Sequence, residues 1–234
     1  MRVLAIGAHP DDIELLCAGT LALCAERGDE VFIAIATNGD VGSGEPDAVP
    51  EEIAKIRHKE AQDSADLIGA SVIWMGAPDE FLEDNRESRE RFIDAIREAR
   101  PDVMFIHSED DYHPDHRLAG KIARDSRIPV SVPLVRTALG PTAIPTAFIM
   151  DTVLGRNFEP EFFVDVTSVM DKKRAMLLSH QSQAAWIAHV FDAELTTNME
   201  IQGRFRGAQA GVGYAEAFRS LHDWPAGGDR TLLP

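Results

Sequence analysis

Positive charge is scarce in this 234-residue sequence: 23 Lys and Arg face 39 Asp and Glu, a formal net charge of -16. That excess of acid repels phosphate backbones and anionic headgroups, which argues against a nucleic-acid or membrane-surface role. Long apolar runs are missing as well; none approaches the roughly 18 residues that a membrane span needs. The opening Met1-Arg2-Val3-Leu4-Ala5-Ile6-Gly7 turns polar too early for a signal peptide, so a cytoplasmic location is expected. Cysteine is reduced to Cys17 and Cys24. If residues 14–27 form one helix, the two lie roughly 10 Å apart, whereas a disulfide holds its Cα atoms within about 7 Å. Nor can both thiolates easily reach one tetrahedral zinc, so buried thiols in a reducing compartment are expected. The remainder, 44% hydrophobic and 26% charged, is the composition of a globular domain.

The first half alternates short apolar strands with helical patterns. Strands are expected at Arg2–Ile6, Val31–Thr37, Ser71–Met75 and Val103–His107, and helices at about Glu14–Arg27, Pro50–Leu67, Arg86–Ala99 and His116–Arg127. Regular alternation of this kind implies right-handed crossovers. The expected fold class is therefore α/β: a single-domain, Rossmann-like, doubly wound and mostly parallel sheet with helices on both faces, over residues 1–234. Asn38–Gly44 is a Gly-rich loop, and the Pro-rich stretch 128–145 holds no element that can be placed. Later strands are expected at Ala147–Val153 and Phe162–Val166, and helices at Ser168–His180 and Ala210–Leu221. No internal repeat or linker interrupts the chain.

The first strand runs directly into Gly7-Ala8-His9-Pro10-Asp11-Asp12. A dinucleotide fingerprint at this turn needs glycines that let the backbone approach a pyrophosphate. Here a histidine takes the second glycine position and two carboxylates follow, so a dinucleotide site is rejected. The turn offers instead one imidazole and two acids, a nitrogen-plus-oxygen set that hard-to-borderline metals accept. A helix-capping aspartate beside a surface histidine is the competing reading. The fourth strand ends at His107, followed by Asp110-Asp111-Tyr112-His113-Pro114-Asp115-His116. In a doubly wound sheet the first and fourth strands lie side by side at the ligand-binding switch point, which brings both clusters to one crevice. Two His and one Asp with an open position describe a catalytic zinc site, and equally a non-haem iron facial triad. Spacing does not decide which histidine of the second motif would bind metal.

With these motifs the sequence resembles the LmbE-like (PIG-L) zinc-dependent N-deacetylases. The resemblance rests on Gly7–Glu14 with Gly19-Thr20-Leu21-Ala22, then Thr37-Asn38-Gly39-Asp40, Arg57–Ala61, Arg100–Val103 and His113-Pro114-Asp115-His116. It continues through Asp171-Lys172-Lys173, Ser179–Gln183 and Tyr214–Arg219, and is weakest over 128–145. It implies that His9, Asp12 and His116 hold one Zn2+ per chain, with water in the fourth place. Asp11 would be the general base that passes a proton from that water to the leaving amine. His113 would stabilise the oxyanion, as a neutral or imidazolium ring, with Asp115 orienting it. Arg57 would grip a polar or acidic part of the substrate, against the alternative of a surface ion pair with Glu60. The implied activity is metal-dependent removal of the N-acetyl group from an N-acetylglucosamine-type sugar, and the C-terminal third is similar to the subgroup acting on GlcNAc-malate. Amidases of thiol conjugates, deacetylases of antibiotic amino sugars and a non-haem iron oxygenase are the alternatives. The expected partner is a small N-acetylated amino sugar, with no nucleic acid and no membrane, in a homo-oligomer.

Weaker candidates surround this set. Asp79 follows the third strand and either contacts sugar hydroxyls or caps a loop, while Tyr112 adjoins His113 and would touch substrate. His180 is expected to cap a helix C-terminus, with Gln183 within reach of the site. Trp74, Trp186 and Trp224 are expected in core or rim packing.

Overall fold

The computed structural model describes residues 1–224. Its strands are β1 (Arg2–Gly7), β2 (Glu30–Thr37), β3 (Ser71–Ala77), β4 (Val103–Ile106), β5 (Thr146–Met150), β6 (Phe162–Asp165) and β7 (Ala215–Ser220). Its α-helices are α1 (Asp12–Leu16), α2 (Ala18–Glu26), α3 (Pro50–Asp66), α4 (Arg86–Ala99), α5 (Pro114–Ser126), α6 (Met170–Leu178), α7 (Gln181–Phe191) and α8 (Leu195–Ala210). The strands form one sheet in the order β3-β2-β1-β4-β5-β7-β6. From β3 to β5 all neighbours are parallel, and β7 enters antiparallel between β5 and β6. The expected α/β, mostly parallel, doubly wound fold is what forms. Strand order reverses between β1 and β4, so a crevice opens beyond their carboxyl ends.

β1 shows why the sheet is covered twice. Its side chains alternate, so Val3 and Ala5 enter one core while Leu4 and Ile6 enter the other. The first core takes Ile33 from β2 and Leu21, Ala65 and Met176 from one layer of helices, and the second takes Phe92, Ile96 and Ile122 from α4 and α5. Each such fully buried side chain contributes about 1.5–3 kcal/mol.

Three expectations need correction. The helix expected over 14–27 is two helices, broken at Cys17 with φ -145°. Cys17 and Cys24 are both free and buried, and burial pushes Cys17 up and Cys24 to about 12, which leaves both thiols inert. The helix expected over Ala210–Leu221 is instead the end of α8, a turn at Gly211 and strand β7. Trp224 is 78% exposed and packs in no core. α7 and α8 occupy a stretch to which no element was assigned.

Two buried charges organise the rest. Glu216 of β7 accepts hydrogen bonds from the Gly19 and Thr20 backbone N–H groups at 2.8 and 2.7 Å, and from the Thr20 hydroxyl at 2.6 Å. The Lys173 ammonium of α6 lies 2.5 Å from the same carboxylate. Three of the sequence segments that carry the family resemblance thus meet in one clamp. In the Pro-rich stretch, Arg97 of α4 donates to the carbonyls of Pro129, Val130, Val132, Val135 and Leu139. One guanidinium therefore satisfies a loop that has only a single 3-10 turn, Pro129–Ser131. Among the described residues no helix is long and apolar enough to cross a membrane.

Candidate active site

Leaving β1, the chain turns so sharply that Asp11 adopts φ 120° and ψ -20°. A non-glycine residue in such a region costs about 1–3 kcal/mol, a strain that clusters at functional sites. Asp11 makes no capping hydrogen bond; it lines the cavity described below. Burial is the main cause that lifts its carboxyl to about 6; Arg57 pulls it back and Asp12 adds to the rise. Asp12 does the local structural work. Its Oδ2 accepts the Ala8 and His9 N–H groups at 3.0 and 2.7 Å, while Oδ1 lies 3.1 Å from His116 Nε2.

From the other side of the crevice, Pro114 opens α5 and His116 sits in its first turn. α5 packs close to β4 because residue 120 is glycine: a Cβ there would meet the His107 carbonyl oxygen at 2.4 Å. His116 Nδ1 lies 3.0 Å from Asp111 Oδ1, which places its proton on Nδ1 and its lone pair on Nε2. His9 Nε2 lies 3.1 Å from Asp79 Oδ1 and 3.4 Å from Asp115 Oδ2, which by the same logic leaves a lone pair on Nδ1. These two lone pairs face each other at 3.2 Å, and Asp12 lies 3.4 Å from His9 Nδ1.

The two ring nitrogens are 3.2 Å apart, and Asp12 meets them through different oxygens, Oδ1 at 3.1 Å from His116 and Oδ2 at 3.4 Å from His9. A tetrahedral ion bound to N and O at about 2.0–2.1 Å sets its ligands about 3.3 Å apart. Two lone pairs and a carboxylate at these separations repel one another unless a cation lies between them. Burial alone would keep both rings neutral, yet Asp12 and the other carboxylates override it, raising His9 well above its ordinary value and His116 to about 9. The donor set therefore fits a metal such as zinc.

Three overlapping groups of donors lie close enough to share an ion, His9–His113–His116, Asp12–His107–His116 and His9–Asp79–Asp115, and the His9–Asp12–His116 set draws on the first two. Hydrogen bonds engage the other two histidines. His107 Nε2 accepts the Ala8 N–H at 3.1 Å. His113 Nδ1 accepts the Asp115 N–H at 3.2 Å, and its Nε2 lies 3.1 Å from Glu80 Oε1. His113 is thus a neutral ring with its proton on Nε2, since burial and the nearby His9 and His116 lower its pKa. Its imidazolium form is not favoured.

The triangle and Asp11 open on a cavity of about 420 Å³. Arg57, Tyr112 and Glu80 line its polar side, and Leu15, Trp186, Ile187 and Leu195 its apolar side. Such a volume and lining belong to small-molecule sites. Of the residues singled out from sequence, the crevice gathers His9, Asp11, Asp12, Arg57, Asp79, Tyr112, His113 and His116, but several are differently employed. Asp79 faces His9 as well as the cavity. The Asp115 carboxylate turns to His9 and to the Leu82 N–H, at 3.3 Å; only its backbone reaches His113. Arg57 is buried rather than in a surface pair with Glu60, which bonds Ser182 instead. Its guanidinium donates to the Pro10 and Gly39 carbonyls at 2.7 and 3.3 Å and lies 3.6 Å from Asp11. Gly39, at φ +66°, is where a Cβ would meet that side chain at 2.7 Å. His180 caps no helix end; its ring is fully buried 3.3 Å from Glu14. Gln183 reaches the Gly42 carbonyl at 3.0 Å. Asp111, His107 and Glu80 were missed; the signal for Asp111 was the need of any ligating histidine for a second carboxylate.

Comparison with known proteins gives the same direction. The family model described as PIG-L, GlcNAc-PI de-N-acetylase, matches residues 4–126. The chain is 27% identical over 186 residues to a diacetylchitobiose deacetylase of Thermococcus kodakarensis, covering 78% of this chain and 70% of that one. It is 26% identical over 236 residues to a 4-oxalmesaconate hydratase of Pseudomonas putida, covering 93% and 88%. Among solved structures it is similar to the N,N'-diacetylchitobiose deacetylase of Pyrococcus horikoshii, with a TM-score of 0.82, 28% identity and coverage of 93% and 82%. With more than half of its length matched, and both His/Asp motifs inside the match, the chain belongs to the PIG-L family.

Proposed function

We propose that the protein is a zinc-dependent amide hydrolase that removes the acetyl group from an N-acetylglucosamine-type sugar, releasing acetate and a free amine. One observation carries the proposal: the donors of His9, Asp12 and His116 converge beside Asp11, a carboxylate on a strained turn that Arg57 approaches at 3.6 Å. When bound, the ion supplies Lewis-acid polarisation and a water made acidic enough to lose its proton near neutrality. The rest is the work of the chain. Asp11 accepts the proton of the attacking water as its oxygen bonds to the amide carbon. The same carboxyl then returns that proton to nitrogen as the C–N bond breaks. His113 offers its Nε2–H to the oxygen on which negative charge grows. Arg57 holds the turn through Pro10 and stays beside Asp11, so it acts as a positioning residue.

The protein as purified should carry about one zinc per chain by elemental analysis. His9→Ala, Asp12→Ala and His116→Ala should each empty the site. Asp79→Asn and Asp115→Asn should weaken metal binding roughly ten- to a hundredfold, because they hold the His9 ring. Retention of metal in all three ligand variants would end the assignment. His113→Ala should keep its metal and lower kcat and kcat/KM together by about a hundredfold, with KM little changed. Loss of zinc from His113→Ala, with retention in His116→Ala, would show the two histidines to be reversed. Amine release from a panel of N-acetylated amino sugars tests the reaction itself. If none yields amine, deacetylation falls, and addition of water to a double bond, the reaction named for the Pseudomonas relative, takes its place.

A further inference from the structure

The cavity lining combines acids with apolar side chains, and its charge balance bears on what the acetamido sugar is attached to. Asp11, Asp12, Asp79, Glu80 and Glu194 line it, against Arg57 as the only Lys or Arg of the lining among the described residues. The two charges of a divalent ion still leave acid in excess. Arg57 is moreover turned to protein carbonyls and to Asp11 and Asp79, the latter at 3.7 Å. Among the described residues no second Lys or Arg lines the cavity. The α7–α8 side, by contrast, presents Trp186, Ile187 and Leu195, with Leu15 and Val153 completing an apolar wall. Glu194 begins α8 at its edge without capping the helix.

From this we infer that the group carried by the sugar is uncharged and apolar, an alkyl or aryl aglycone seated on the Trp186–Ile187–Leu195 wall, and that a carboxylated aglycone such as malate is rejected. The inference rests on the acetamido-sugar reading above. A malyl group would bring up to two carboxylates into a lining already rich in them, and desolvated like charges are repelled strongly. An alkyl or aryl group buries apolar surface there instead.

Two measurements on the metal-loaded protein separate the inference from the reading beneath it. Calorimetric titration with the deacetylated compounds should show octyl glucosaminide binding at least tenfold more tightly than glucosaminyl malate. Kinetics on the acetylated pair should give at least a tenfold higher kcat/KM for the octyl glycoside. Trp186→Ala should shrink this ratio through KM, and Glu194→Lys should shrink it by improving the malate conjugate. Equal or tighter binding of glucosaminyl malate would overturn the inference whatever the turnover. Preferential octyl binding without amine release from either substrate would uphold the pocket preference and remove the deacetylase reading.

Discussion

Asp11→Asn is expected to lower kcat by about 10³-fold while the protein keeps its fold and its metal. The amide matches the carboxylate in size but cannot accept a proton, and general-base catalysis contributes about 10²–10⁴ in rate. Asparagine is the informative replacement for a second reason. Residue 11 sits at φ 120°, and Asn tolerates positive φ far better than Ala, so backbone strain does not confound the result. Asp11 reaches no metal-facing atom of His9 or His116, whereas Asp12 does, so elemental analysis should separate the two adjacent acids cleanly. Zinc should be lost with Asp12→Ala and unchanged in Asp11→Asn. A metal-replete Asp11→Asn enzyme within tenfold of wild-type turnover would remove the base from this position and shift attention to Glu80.

Glu216→Ala is expected to cost about 3–5 kcal/mol, the range for leaving one member of a buried ion pair without its partner. The Lys173 ammonium, 4% exposed, would be left buried, and the first turn of α2 would lose acceptors for two backbone donors. Against a total stability of about 5–15 kcal/mol, that brings the variant close to unfolding at growth temperature. Glu216→Gln retains an acceptor for Gly19 and Thr20 and should lose less. The double variant Glu216→Leu with Lys173→Met should recover much of the loss, because both charges go together. Urea denaturation reads all three. A single Glu216→Ala loss below about 1 kcal/mol would mean that the clamp is incidental.

The parallel half of the sheet was legible because its strands are continuous apolar runs, the pattern of strands buried on both faces, and each is followed by a helix with clear stops. Arg86–Ala99 is a case in point: Asn85 caps it, and its limits are those expected. β7 was read as a helix for an equally physical reason. Ala215-Glu216-Ala217-Phe218 has strong helix formers and no apolar–polar alternation, and all four residues are buried. Its strand character comes from pairing with β5 and β6, which no local window contains. The break at Cys17 has the same origin, since the Glu216 carboxylate that holds the start of α2 is 196 residues away from Thr20. In the site, the motif residues were visible one by one, but which acid orients which histidine was not. That is decided by the approach of β3's loop to the first turn, which sets Asp79 and Asp115 on His9 rather than leaving Asp115 to His113.

The position of β7 also dictates an order of assembly. Among the described residues β6 pairs only with β7, while β5 keeps β4 on its other side. During synthesis β6 emerges before α6, α7 and α8, and has no ladder to join until β7 follows them. The five parallel strands can meanwhile pair, while the core that holds Val3 and Ala5 waits for Met176 of α6 and Phe218 of β7. The apolar wall of the cavity, built on α7 and α8, therefore waits for the late strand that anchors α8, and the ion-binding triangle between β1 and α5 can form first. A chain stopped after α8 lacks Glu216 and Phe218 as well as the ladder for β6, so it should hold neither a closed core nor the cavity until β7 is added.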